Sequence, residues 1–104
     1  MQYSCVHWSA ASLDEARQVC QELVNKKLVA CAHIIPHMES IFLWKGQLEK
    51  AAEVAVIFKT KIENFAEIQK VITELASYEV PEILQTPITD GFSPYLNWMQ
   101  ETMG

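Results

Sequence analysis

Residues 40–60 read SIFLWKGQLEKAAEVAVIFKT, and the fold turns on them. On the left, Glu39 to Trp44 is an extended pattern rich in β-branched and aromatic residues. On the right, Glu53 to Thr60 (EVAVIFKT) is another. Lys45, Gly46 and Gln47 between them supply the turn, so the segment predicts a hairpin of unusual length. Ile41 and Leu43 fall on one of its faces and Phe42 and Trp44 on the other. Both faces are therefore apolar, which implies that more than the chain's own helices must cover them.

Upstream of the hairpin, Tyr3 to Ser9 (YSCVHWS) reads as a first strand. Ser12 and Glu15 stand at capping-box spacing, and Leu13, Ala16, Cys20, Leu23 and Val24 recur at helical intervals. This predicts a helix reaching about Lys27. The stretch LVACAHII is a second strand, where Pro36 marks a bulge or an edge because it has no N–H for the ladder. Downstream, Thr60 and Glu63 predict a second capping box, opening a helix that carries Phe65, Ile68, Val71, Ile72 and Leu75 on one face. It ends before Pro81. EILQTPI supplies a fourth strand, and SPYLNWMQETM a last helix with Ser93 as N-cap and Pro94 at its first position. The order is β-α-β-β-α-β plus a terminal helix, the ferredoxin-like α+β sandwich.

At 104 residues without linker, repeat or low-complexity tract, residues 1–104 form one domain. Half the residues are apolar, enough for a core with apolar surface left for a second copy of the chain. Eight basic against thirteen acidic residues give a net charge of -5, which argues against nucleic acid as a partner. No basic stretch followed by an apolar run opens the sequence, and no apolar segment approaches the ~20 residues that span a bilayer. The expectation is a soluble, cytoplasmic protein with no membrane partner. Cys5, Cys20 and Cys31 form neither an even set nor a CxxC pair, so they read as reduced thiols.

Ala30 to His37, ACAHIIPH, raises the question of metal. Cys31 and His33 share a strand face, and sulfur beside imidazole suits copper or another divalent cation. If the first two strands were neighbours, Cys5, His7 and His37 could join them in a mixed cluster. No converging paired-ligand motif supports that, and the stretch reads first as an inner strand bending into the hairpin.

Taken together, LVACAHIIP, SIFLWKGQLE, EVAVIFKT, YEVPEIL and YLNWM resemble, in order and spacing, the CutA family of divalent-cation tolerance proteins. Cys31, Pro36, Ser40, Trp44, Gly46, Glu53, Lys59, Thr60, Tyr78, Pro81, Glu82, Tyr95 and Trp98 all fall in the family pattern. The resemblance implies a homotrimer, similar in architecture to PII signalling proteins, whose long hairpins extend sheets across subunit boundaries. It implies a role in copper and divalent-metal tolerance and no enzymatic activity. The family's proposed copper ligands are a cysteine at the end of the first strand and histidines before a PY. Here Trp8 takes the first position, and Leu75, Ala76 and Ser77 stand where histidines and proline would be. None of these ligates a transition metal well, so the resemblance does not carry that ligand set to this chain.

Seven residues are the candidates for an intersubunit cleft: Trp44, Glu53, Lys59, Tyr78, Glu82, Tyr95 and Trp98. Trp44, at the hairpin tip, is an interface anchor or a stacking surface for a ligand. Glu53 and Lys59, six apart on one strand, share a face as ion-pair or intersubunit contacts, with no nucleophile beside them to suggest catalysis. Tyr78, Pro81 and Glu82 shape the turn into the fourth strand, and Tyr95 and Trp98 form one aromatic helix face. Other ferredoxin-like activities fail at their sites. The third strand lacks the basic and aromatic pattern of an RNA-recognition module, and WSAAS has no arginine for an acylphosphatase-like anion loop. The remaining alternative is a PII-like sensor that takes a small molecule or anion in the cleft, with Lys59 as a contact.

Overall fold

The computed structural model describes residues 2–104. The chain runs β1 (Tyr3–Ala10), α1 (Leu13–Asn25), β2 (Cys31–Trp44), β3 (Gln47–Lys61), a 3-10 turn (Ile62–Asn64), α2 (Phe65–Leu75), β4 (Ile83–Ile88) and α3 (Ser93–Met103). The four strands make one antiparallel sheet in the order β2-β3-β1-β4. This is the expected α+β sandwich with its extended hairpin and C-terminal helix.

The core follows from alternation on the strands and the 3.6-residue period on the helices. Val6, Trp8, Val54, Val56 and Phe58 point from β1 and β3 toward Ala16, Val19, Leu23, Ile68 and Ile72 of α1 and α2. The Trp8 and Phe58 rings stack at 6.3 Å between centroids. Trp8 is thus a core side chain, only 1% exposed. A smaller cluster seats α3, with Met99 and Met103 against Ala30 and, at its margin, Tyr3 and Leu96.

The hairpin closes through Lys45 and Gly46, both at positive φ (51° and 78°), which matches the primed turns that follow strand twist. From the closing pair Trp44 and Gln47, the ladder runs back to Met38 opposite Glu53. There the register shifts between Ile35 and Met38: Pro36 cannot donate and His37 adopts φ 66°. Pro36 therefore marks both a bulge and an edge, and β2 is the outer strand of this sheet, not an inner one. The longest dimension is 45 Å, and the radius of gyration, 14.3 Å, exceeds the roughly 13 Å of a compact chain this long because the hairpin projects.

Local signals at the helix starts hold in one case and yield in two. Ser12 caps α1 as expected, its Oγ accepting the Glu15 N–H at 3.1 Å. Thr60, in contrast, stays in β3 and donates its hydroxyl to the Leu28 carbonyl at 2.6 Å, beside a second donor, Asn64 Nδ2, at 2.9 Å. A backbone acceptor brought in by the fold outcompetes the local cap, so α2 begins only after the 3-10 turn. At α3 the N-cap is Phe92, one residue earlier than Ser93, because the Phe92 carbonyl accepts the N–H groups of Tyr95 and Leu96. Helix α1 ends at Asn25, two residues short of Lys27, which takes φ 59°.

Glu15 does more than its capping spacing requires. One carboxylate oxygen accepts the Ala11 N–H at 3.1 Å and the other accepts the Ser77 N–H at 2.8 Å, tying the start of α1 to the loop after α2. Hydrogen bonds to a charged acceptor contribute ~1.5–3 kcal/mol when sheltered and less when wet. Glu15→Ala is therefore expected to lower stability by about 1–2 kcal/mol, with Glu15→Gln intermediate. Urea unfolding checks this as a lower midpoint at unchanged slope.

Candidate functional site

The fold divides the seven candidate residues into two groups. Trp44, Glu53, Tyr78 and Glu82 line one groove of about 580 Å³. Lys59, Tyr95 and Trp98 lie apart from it, with Lys59 and Cys31 in register and Tyr95 touching Cys31. Glu53 and Lys59 do share a face, but six residues of strand put them about 20 Å apart, too far to pair.

The groove forms where the hairpin passes the loop between α2 and β4. Ser40, Phe42 and Trp44 alternate along β2, and their cross-strand partners Ala51, Glu49 and Gln47 share that face. Tyr78, Glu79, Val80 and Glu82 come from the loop that Glu15 fixes, and Ser9 comes from the end of β1. Ser9 donates its hydroxyl to Glu82 at 2.5 Å, holding that carboxylate. Glu53 is only 9% exposed, so a carboxylate is sheltered in the wall. Four glutamates and one lysine, Lys50, line the groove, which makes it acidic. At its mouth the Lys45 ammonium lies 5.7 Å from the Trp44 ring centroid and 3.8 Å from Glu79. Glu49, Lys50 and Glu79 were not legible as site residues; only the register and the loop's position bring them in.

The second group sits on the sheet face opposite α1 and α2. Cys5, Lys59 and Cys31 form a cross-strand row, because Lys59 is opposite both cysteines. One step along, His7, Ile57 and His33 form the next. β3 thus stands between β1 and β2, and the mixed cluster that required them to be neighbours is split: Cys5 and His7 lie two strands from Cys31 and His33, about 10 Å away. Among the described residues no three His, Cys, Asp or Glu side chains are grouped so as to hold a metal ion. Cys31 and His33 remain a same-face pair at the sheet edge. The Cys31 Sγ is 3.5 Å from the Tyr95 hydroxyl, and the Tyr95 and Trp98 rings are 5.4 Å apart. His7 Nε2 lies 3.2 Å from Thr86 Oγ1.

Such an α+β sandwich, with a projecting hairpin and an acidic groove at its base, defines a class of small, sheet-exposing domains. Comparison with known proteins narrows it. The profile of the CutA1 divalent ion tolerance protein family matches residues 4–102, and the chain belongs to that family. It is 39% identical to the divalent-cation tolerance protein CutA of Archaeoglobus fulgidus, covering 97% of this chain and 98% of that one. It is 34% identical to the Thermus thermophilus protein of the same name, over 89% and 90% of the two chains. The solved structure described as the periplasmic divalent cation tolerance protein CutA from Archaeoglobus fulgidus superposes with TM-score 0.95 at 38% identity, covering 98% of this chain and 99% of that one. The Thermus thermophilus Cut A1 structure gives 0.94 at 32% identity, with the same coverage.

Three neutral groups resist ionisation. Burial pushes the Cys20 thiol from 9.0 up to about 12. Tyr78 rises from 10.0 to about 12, through burial first and then the hydrogen bond and charge of Glu53 and the charge of Glu15. Tyr95 also rises to about 12, through its hydrogen bond with Cys31 first, then burial. Because each folded pKa lies above its unfolded value, the folded chain holds these protons longer. Their contribution is complete at neutral pH and is lost as pH climbs from about 9 to about 12. The thermal midpoint is therefore expected to fall across that window, modestly for the tyrosines because both are more than a third exposed. Tyr78→Phe and Tyr95→Phe should each flatten the fall, as read by melting curves over a pH series.

Proposed function

We propose that this chain is a non-enzymatic, cytoplasmic member of the divalent-cation tolerance family that works as a homotrimer and has no tight copper centre of its own. The observation that carries the assembly is the apolar hairpin. Ile41, Leu43 and Leu48 are 59%, 71% and 69% exposed, and Ile35 and Leu84 are exposed on the sheet. Exposed apolar side chains on both faces of the sheet and hairpin mark association, and copies that pair their sheets cover them. The cytoplasmic reading rests on the unpaired thiols of Cys5, Cys20 and Cys31. The metal reading rests on ligand supply: Trp8, Leu75, Ala76 and Ser77 offer no ligand at the positions the family pattern uses, which leaves the Cys31 and His33 pair.

A second reading, a PII-like sensor that takes a small ligand beside the interface, is favoured by one observation, the groove of about 580 Å³. Its size falls within the ~300–1,000 Å³ usual for ligand sites.

Light scattering on the purified chain is expected to give three times its 11.9 kDa mass; a stable monomer refutes the assembly. Calorimetric titration with copper and zinc is expected to show weak binding. Tight binding that disappears in the Cys31→Ser and His33→Ala double variant would assign a copper site to those residues and overturn the metal reading.

A further inference from the structure

From the acidic groove we infer that it binds an aliphatic polyamine, an extended organic cation with several ammonium groups. This rests on the second reading above, that the groove is a ligand site, and supplies its ligand class.

Charge is the first argument. The lining holds four carboxylates against the single ammonium of Lys50, and one of the four, Glu53, is nine-tenths buried. Among the described residues no lysine, arginine or histidine forms an ion pair with Glu53. Its side-chain partner is the neutral Tyr78 hydroxyl, so a cation supplied by a ligand would give this sheltered carboxylate the charge it lacks. Shape is the second. Glu49 and Glu53 are four residues apart on β3, about 13 Å of strand, so negative charge is spread along the groove. No three potential ligands converge on a point that a metal ion could occupy. The complementary cation is therefore elongated, with separated N–H donors, and not a single small ion.

The walls are the third argument. Phe42, Trp44 and Tyr78 line the groove and suit the methylene stretches and ammonium ends of such a chain. The protein's own Lys45 demonstrates the chemistry: its ammonium rests over the Trp44 ring at 5.7 Å and beside Glu79 at 3.8 Å. Lys45 is largely solvent-exposed, so a ligand ammonium can displace it at little cost. Lys45 accordingly competes with the ligand.

The test is calorimetric titration of the full chain, in its native assembly, with spermidine, and with hexane-1,6-diol and magnesium as controls. Spermidine is expected to bind once per chain, and neither control to substitute. Glu53→Gln should weaken binding by about tenfold or more, since a charge-assisted contact becomes a neutral one. Lys45→Asn, which keeps a residue tolerant of the left-handed turn, should tighten it severalfold. Trp44→Leu serves if the Glu53 variant does not fold, and should weaken binding severalfold. No heat at millimolar spermidine, equal binding of the diol, equal competition by magnesium, or unchanged affinity in the folded Glu53 and Trp44 variants overturns the inference. Light scattering on the same samples reads assembly separately, so a trimer indifferent to spermidine refutes the polyamine and leaves the assembly standing. If a broader metabolite screen then shifts the melting temperature of the native chain but not that of the folded Trp44→Leu variant, the groove remains a ligand site and only the ligand class fails.

Discussion

The register of β2 against β3 is the constraint on which the rest of the molecule depends. It begins at the Lys45 and Gly46 turn, where both residues take positive φ, and it is reset once, at Pro36 and His37. A one-residue error in pairing would reverse every side chain on the strand. The bulge allows Ala32 and Ile34 to face the core while Ser40, Phe42 and Trp44 face the groove. Removing it would send one of these sets to the wrong side. The same hairpin also carries the exposed Leu43 and Leu48, so one ladder fixes the core boundary, the groove wall and an exposed apolar surface.

The groove has two walls because the hairpin alone provides only one. The other is the loop from Ala76 to Glu82, which has little packing of its own and is held by polar contacts at both ends. Glu15 binds it through the Ser77 N–H, and Ser9 holds Glu82. A capping residue thus doubles as a tertiary clamp. That use leaves Glu15 near enough to Tyr78 for its charge to help keep the phenol protonated. Local helix chemistry and groove electrostatics are coupled through one carboxylate.

Metal chemistry shows how topology can dismantle a plausible sequence pattern. Cys5, His7, Cys31 and His33 have side chains of the right type and parity. Placing β3 between their strands converts a conceivable cluster into two pairs separated by Lys59 and Ile57. A strand-to-strand spacing near 4.8 Å makes a gap of two strands too wide for four ligands to converge. The acidic groove, not the thiol row, concentrates the charge.

The sequence by itself determined the element order, the hairpin and its turn, the Ser12 cap, and most of the helix faces of α1 and α2, because these depend on interactions within a few residues; Val24 and Leu75, at the helix ends, are exposed, and Val19 joins the core instead. It also gave Trp44, Glu53, Tyr78 and Glu82 as residues of interest. Only the tertiary structure decided that those four meet within one chain while Lys59, Tyr95 and Trp98 lie elsewhere on it, since pairing register and strand order are set between distant segments. It likewise overruled Thr60 as a cap, because the Leu28 carbonyl, thirty-two residues away in sequence, needed a donor at that point. Periodicity assigns a side chain to a face; which faces meet is settled only when the whole sheet closes over one core.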